Sequence, residues 1–202
     1  MNSSSSYGIS PRFREMALLF LDSCDHFSTA QGVDKYQSFG GGIIVAGRHG
    51  NGIQFPNAIV GVDPAHARVI AGLAFYPTAL GVQLIQILDT LDTFAGRFII
   101  GVDSSGALIG NYSYLLTPLT PSAAGLVHVG TWYYLEINAL TGPDGSATIE
   151  VRLDGVVRMS ASGLAMPMFS PSPFFWNRFD VGRLVVNAIV DDIYLLDGST
   201  GL

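Results

Sequence analysis

Residues 131–157, TWYYLEINALTGPDGSATIEVRLDGVV, constrain the fold more tightly than any other part of the chain. Over 132–139 the apolar side chains of Tyr133, Leu135, Ile137 and Ala139 share one face, and over 146–153 Ala147, Ile149, Val151 and Leu153 alternate with Thr148, Glu150 and Arg152. A period of two predicts half-buried antiparallel strands. Between them the run TGPDG at 141–145 supplies a proline with fixed φ and a glycine free to take positive φ. Asp154-Gly155 is the pair favoured in a two-residue type I′ hairpin. The segment therefore reads as a β-meander with Tyr133, Leu135, Ile137, Ile149, Val151 and Leu153 in the core.

The same signals recur along the chain. Strand-length blocks fall at 17–21, 52–55, 68–75, 83–88, 97–102, 107–114, 132–139, 148–153, 156–160, 178–185 and 189–196, with turns at Gly40-Gly41-Gly42, Asn51-Gly52, Ser105-Gly106 and Asp154-Gly155. No amphipathic helix intervenes, so the expected fold is all-β, an antiparallel two-sheet sandwich of the jelly-roll kind. At 202 residues the chain suits one such domain over 16–202. Residues 1–15, MNSSSSYGISPRFRE, are Ser-rich and aperiodic and read as an N-terminal arm.

Composition narrows the partners. The chain is 49% hydrophobic but 13% charged, where soluble proteins average about 25% charged residues. No uncharged apolar run approaches the ~20 residues of a membrane-spanning helix, so no membrane is expected. The excess of apolar surface predicts burial against other subunits, in competition with a large, well-filled sandwich core. The net charge is −6 and the ten Lys and Arg residues form no basic stripe, which argues against direct nucleic-acid binding. Cys24 is the single cysteine, excluding an intrachain disulfide and a cysteine zinc cluster. The run MALLFL at 16–21 ends at Asp22 without a cleavage signal and reads as the first strand, with synthesis in a reducing cytoplasm.

Four fragments in register, LFLDSCDHF near the start, GTWYYLEINA, VRLDGVV and the terminal VDDIYLLDG, resemble a group of small bacteriophage virion proteins with a concanavalin A-like, laminin G-like jelly roll. The resemblance spans 16–198. It implies a structural component of a phage particle, a capsid decoration or tail-appendage subunit. Its partners would be other virion proteins and copies of itself, and its location the virion, assembled in the host bacterial cytoplasm. The alternative is a lectin-like module that recognises a host-surface glycan. In such a fold the terminal strands 17–21 and 189–196 can lie side by side, covering each other's edges. Asp191 and Asp192 would then begin the last strand, either as a cation or carbohydrate site or as a turn residue plus a solvated carboxylate. No D-x-D-x-D-G loop supports calcium.

Catalytic and metal chemistry finds no clear footing, and the expectation is a non-enzymatic protein without cofactor. A retaining glycosidase needs carboxyl groups about 5–5.5 Å apart. Asp89 and Asp92 have odd spacing, while Glu136 and Glu150 read as exposed residues of adjacent strands. His26, His49, His66 and His128 are dispersed. No G-x-S-x-G elbow occurs, and Gly40–Gly42 lacks the Lys-Ser or Lys-Thr of a phosphate loop. Trp132, Trp176, Tyr112 and Tyr114 are candidate sugar-stacking aromatics, with burial the expected fate of Trp132. The loop 166–176, MPMFSPSPFFW, combines prolines, which resist sheet pairing, with aromatics that favour burial. Met166, Met168, Phe169, Phe174, Phe175 and Trp176 are its candidate interface residues, whether against a neighbour or folded back over the sandwich. In the arm, Tyr7, Ile9 and Phe13 are the corresponding apolar anchors.

Overall fold

The structure, a computed structural model, describes residues 17–25, 36, 38–39, 42–54, 58–89, 97–112, 117–140, 145–164, 176–181 and 187–198. They form two antiparallel sheets facing each other. The eight-stranded sheet runs β13 (Val156–Leu164), β12 (Ala147–Leu153), β11 (Tyr133–Leu140), β6 (Arg68–Pro77), β15 (Ala188–Asp197), β4 (Asn51–Gln54), β3 (Ile43–Ala46), with β1 (Leu18–Asp22) also on β15. The seven-stranded sheet runs β10 (Thr117–Pro118), β9 (Leu108–Tyr112), β8 (Arg97–Val102), β7 (Val82–Asp89), β14 (Trp176–Val181), β5 (Ala58–His66), β2 (Ser38–Phe39). The expected all-β jelly-roll sandwich is thus the fold observed.

The meander forms as its periodicity dictates. Along β12 burial alternates strictly, with Ala147, Ile149, Val151 and Leu153 buried and Thr148, Glu150 and Arg152 half-buried on the far side. Leu135 and Ile137 are fully buried, while Tyr133 is only half-buried and stacks on Phe75 with ring centroids 5.6 Å apart. Asp154 and Gly155 take φ of 51° and 77°, the double positive φ of a type I′ turn. The inner faces of both sheets converge on a core whose largest fully buried side chains include Phe75, Phe98 and Phe179.

Three expectations are corrected. The last strand is not a sheet edge closed by the first. β15 pairs with β6 along one side, while its other side is shared by β4 at Ile189–Val190 and β1 at Ile193–Leu196. The terminal strands do lie side by side, but in the interior of the sheet. Asp191 and Asp192 accordingly sit within β15, at a register shift between Asp191 and Tyr194, and Asp192 has φ of 48°. Asp191 is buried rather than solvated. Finally, β3 and β5 escape the strand pattern. β5 contains Pro64, and its ladder to β14 shifts register between Gly61 and His66, so the proline falls where no ladder bond is required.

Candidate functional site

The outward faces of the two sheets differ in kind. On the seven-stranded sheet the outward residues Gln86, Leu88 and Asp180 are buried, and Arg178 holds Asp180 from two positions away, Nε to Oδ1 at 2.8 Å. A hollow of about 220 Å³ beside Gln83, Ile99 and Asn111 carries one carboxylate, Asp103. That carboxylate is occupied by its own turn, accepting from Ser105 N and Oγ and from Ala107 N. The eight-stranded sheet instead presents an open row of half-buried polar and aromatic side chains.

Register builds that row. Glu136 lies opposite Arg152 on β12 and opposite Gly72 on β6, and Gly72 lies opposite Tyr194 on β15. Four strands therefore bring Arg152, Glu136 and Tyr194 into line across the face. Gly72 is the enabling residue: a Cβ there would overlap the Tyr194 ring. With only hydrogen at this position, the ring lies across β6 and its hydroxyl donates to Glu136 Oε2 at 2.5 Å. A glycine inside a strand commonly marks such close approach. Tyr134, two residues before Glu136, stacks beside Tyr194 with centroids 6.0 Å apart and planes at 17°.

Charge on this face is mostly internally matched. Arg152 reaches Glu136 at 3.3 Å and Glu150 at 2.7 Å, so the two glutamates are bridged by a cation rather than aimed at a common point. Burial, followed by the bond to Glu136, holds the Tyr194 phenol far above the ordinary tyrosine range. Burial likewise raises that of Tyr134. Both hydroxyls remain protonated donors at physiological pH.

Two depressions lie along β11. One, of about 640 Å³, is lined by Leu21, Arg48, Tyr134, Asp154, Asp192 and Tyr194. Asp191 shapes its wall from beneath, accepting the Arg48 backbone N–H at 2.9 Å and that of Asp192 at 2.8 Å, while the Arg48 side chain lies 3.9 Å from Asp192. The second, of about 310 Å³, is lined by Arg68, Asn138, Thr148, Glu150, Ser160 and Ser162. Four residues of extended strand, from Tyr134 to Asn138, separate the two by about 13 Å.

The structure relocates the sequence candidates. Tyr112 is half-buried and packs against the core, and Trp132 is half-buried with its ring 5.5 Å from Tyr76. The aromatic pair that the open face brings together is Tyr134 and Tyr194, of which neither is among the aromatics singled out from the sequence. Alternation about Leu135 does place Tyr134 on the outer face, but its meeting with Tyr194 depends on register across β6. Tyr7, Ile9, Phe13, Met166, Met168, Phe169, Phe174 and Phe175 lie outside the described residues, as do Tyr114, His26, Gly40, Gly41 and Asp92. Of Trp176 only the backbone is described, opening β14. Among the described residues no three His, Cys, Asp or Glu side chains gather as a metal cluster, and no helix is long and apolar enough to cross a membrane.

No protein-family model matches the chain, and no curated protein does. Solved structures do. A carbohydrate esterase from the Shiga toxin-encoding bacteriophage phi24B superimposes with a TM-score of 0.59 at 12% identity, over 91% of this chain and 99% of that one. Domain 4 of AbnA, an extracellular arabinanase from Geobacillus stearothermophilus in complex with arabinotriose, gives 0.58 at 13%, over 91% and 94%. An endo-β-1,4-glucuronan lyase from the fungus Trichoderma reesei gives 0.56 at 10%, over 89% and 95%. At these identities the likeness establishes the fold, a jelly roll used both by carbohydrate-binding modules and by carbohydrate-active enzymes.

Proposed function

We propose that the open face of the eight-stranded sheet binds a carbohydrate chain, the Tyr134–Tyr194 pair serving as apolar platform and the Glu136–Arg152–Glu150 row as hydrogen-bonding wall. The observation that carries this reading is the Tyr194 ring held against Gly72 and tied to Glu136. A strand interior gives up a side chain there, and what it gains is an aromatic surface fixed against a polar one, the combination that orients small-molecule ligands. The named ligand and activities of the neighbouring structures, arabinotriose binding among them, agree with a saccharide.

Binding rather than cleavage is favoured by the chemistry of the face. Its glutamates are engaged by Arg152, and Tyr194 keeps its proton while donating a hydrogen bond to Glu136, leaving neither a matched acid and base nor a phenolate. The setting we propose is a bacteriophage particle, on the strength of the four sequence fragments, with the module as a host-recognition or decoration subunit beside other virion proteins and copies of itself.

The test is a glycan array with the purified protein, followed by calorimetry on the hits with Tyr134→Ala and Tyr194→Ala. Each variant is expected to weaken binding by about tenfold or more, as for a buried aromatic anchor. Unchanged affinity in both variants, or conversion of the bound chain to shorter products, would reject the reading.

A further inference from the structure

Arg152, Arg48 and Arg68 line the two depressions or the polar row between them, and they are not equivalent. Arg152 is shared between Glu136 and Glu150, and Arg48 lies near Asp192. Arg68 has no carboxylate partner among the described residues. Among the described residues its guanidinium makes one hydrogen bond, from Nε to Asn138 Oδ1 at 2.9 Å, which leaves the two terminal nitrogens for another acceptor. The stem is fixed as well. Gly198 lies against it, where an added Cβ would come 2.8 Å from Arg68 Cγ, and Gly198 N donates to Arg68 O at 3.0 Å.

This positioned cation lines the cavity of about 310 Å³ together with Asn138, Thr148, Ser160 and Ser162. Glu150 lines it too, but its carboxylate is drawn to Arg152 at 2.7 Å. A planar guanidinium held by its Nε and lining a hydroxyl-bearing hollow matches the two oxygens of a carboxylate better than it matches a single sugar hydroxyl.

We infer that this cavity is a subsite for an acidic sugar residue, so that the ligand of the face is a polysaccharide containing uronic acid, its carboxylate on Arg68 and a neighbouring stretch of the chain on the tyrosine pair. The inference rests on the binding face proposed above and adds the charge class of its ligand. The spacing of about 13 Å between the two depressions requires an oligosaccharide rather than a single terminal sugar.

The experiment titrates the full chain with a glucuronan oligosaccharide and with the same oligosaccharide after reduction of its carboxyl groups, at low and high salt. Wild type is expected to bind the acidic form about tenfold more tightly, with the preference shrinking as salt rises. Arg68→Gln should erase the preference while leaving affinity for the neutral form. Arg68→Lys should retain part of it, and Asn138→Ala, which frees the guanidinium, should reduce it. Thermal melting of each variant checks that it remains folded. Equal affinity of wild type for both forms, or a preference that survives in Arg68→Gln, overturns the inference. If the neutral form binds and Tyr194→Ala abolishes that binding, the face stands and the acidic subsite alone falls. If neither form binds, both fall.

Discussion

Gly72 and Asp191 show how single residues set the face. In Gly72→Ala the gain from removing glycine flexibility in a strand, about 0.5–1 kcal/mol, opposes an overlap with the Tyr194 ring, and overpacking of this kind costs about 1–3 kcal/mol. The overlap wins. The variant should be less stable in urea and should lose saccharide binding as fully as Tyr194→Ala, because the ring can no longer reach Glu136. Retained binding would show that the ring's position over β6 is dispensable. Asp191 works from below. It is fully buried, and burial raises its pKa from the ordinary 3.8 despite the N–H donors of Asp192 and Arg48. The folded state thus holds its proton more tightly than the unfolded chain does. Its charge therefore costs stability as pH climbs from the ordinary value through the raised one, and the cost is constant above that. Measured by denaturation, the stability of wild type relative to Asp191→Asn should fall as pH rises through this window. A difference that grows in favour of wild type would contradict the sign.

At the scale of elements, the strands that alternate cleanly were legible and the others were not. β11, β12 and their type I′ turn follow from a period of two and a Asp-Gly pair, and Ile149 on the inner face is the direct check. Ile149→Ala should cost about 2–5 kcal/mol, and an unchanged midpoint would be incompatible with its burial at 2% exposure. β5 gives no strand signal because Gly61 and Pro64 lower strand propensity, although tertiary pairing overrides it, and β3, the four-residue IIVA, is an apolar run too short to show a period. The outer face was legible in part. Alternation about Leu135 and Ile137 places Tyr134, Glu136 and Asn138 together, but Arg68 and Tyr194 join them through β6, and pairing between strands far apart in sequence leaves no local signal. The pair Asp191-Asp192 was visible as a feature and misplaced for the same reason. A bulge in the middle of a strand and a turn at its start draw on the same residues.

For the whole molecule the decisive contact is between the first and last described strands. Leu18 pairs with Leu196, and Asp197 N donates to Ala17 O at 2.9 Å, so the strands that open and close the described sandwich are neighbours. Such closeness makes circular permutation tolerable. A permutant that joins Leu202 to Met1 and opens between Leu80 and Gly81, where an added Cβ at Gly81 would meet nothing within 4 Å, keeps every ladder of both sheets. It also tethers both ends of residues 1–15, the segment expected from the sequence to be an arm. The permutant should therefore fold and bind saccharide as wild type does. In a phage particle its incorporation should fall, because residues 1–15 are proposed to dock on a neighbour and tethering both ends of that segment restricts such docking. The two measurements separate the two proposals. Binding lost in a folded permutant would count against the tyrosine face, which the new connection does not touch. Incorporation at wild-type occupancy would remove that segment from the account of assembly while leaving the saccharide face intact.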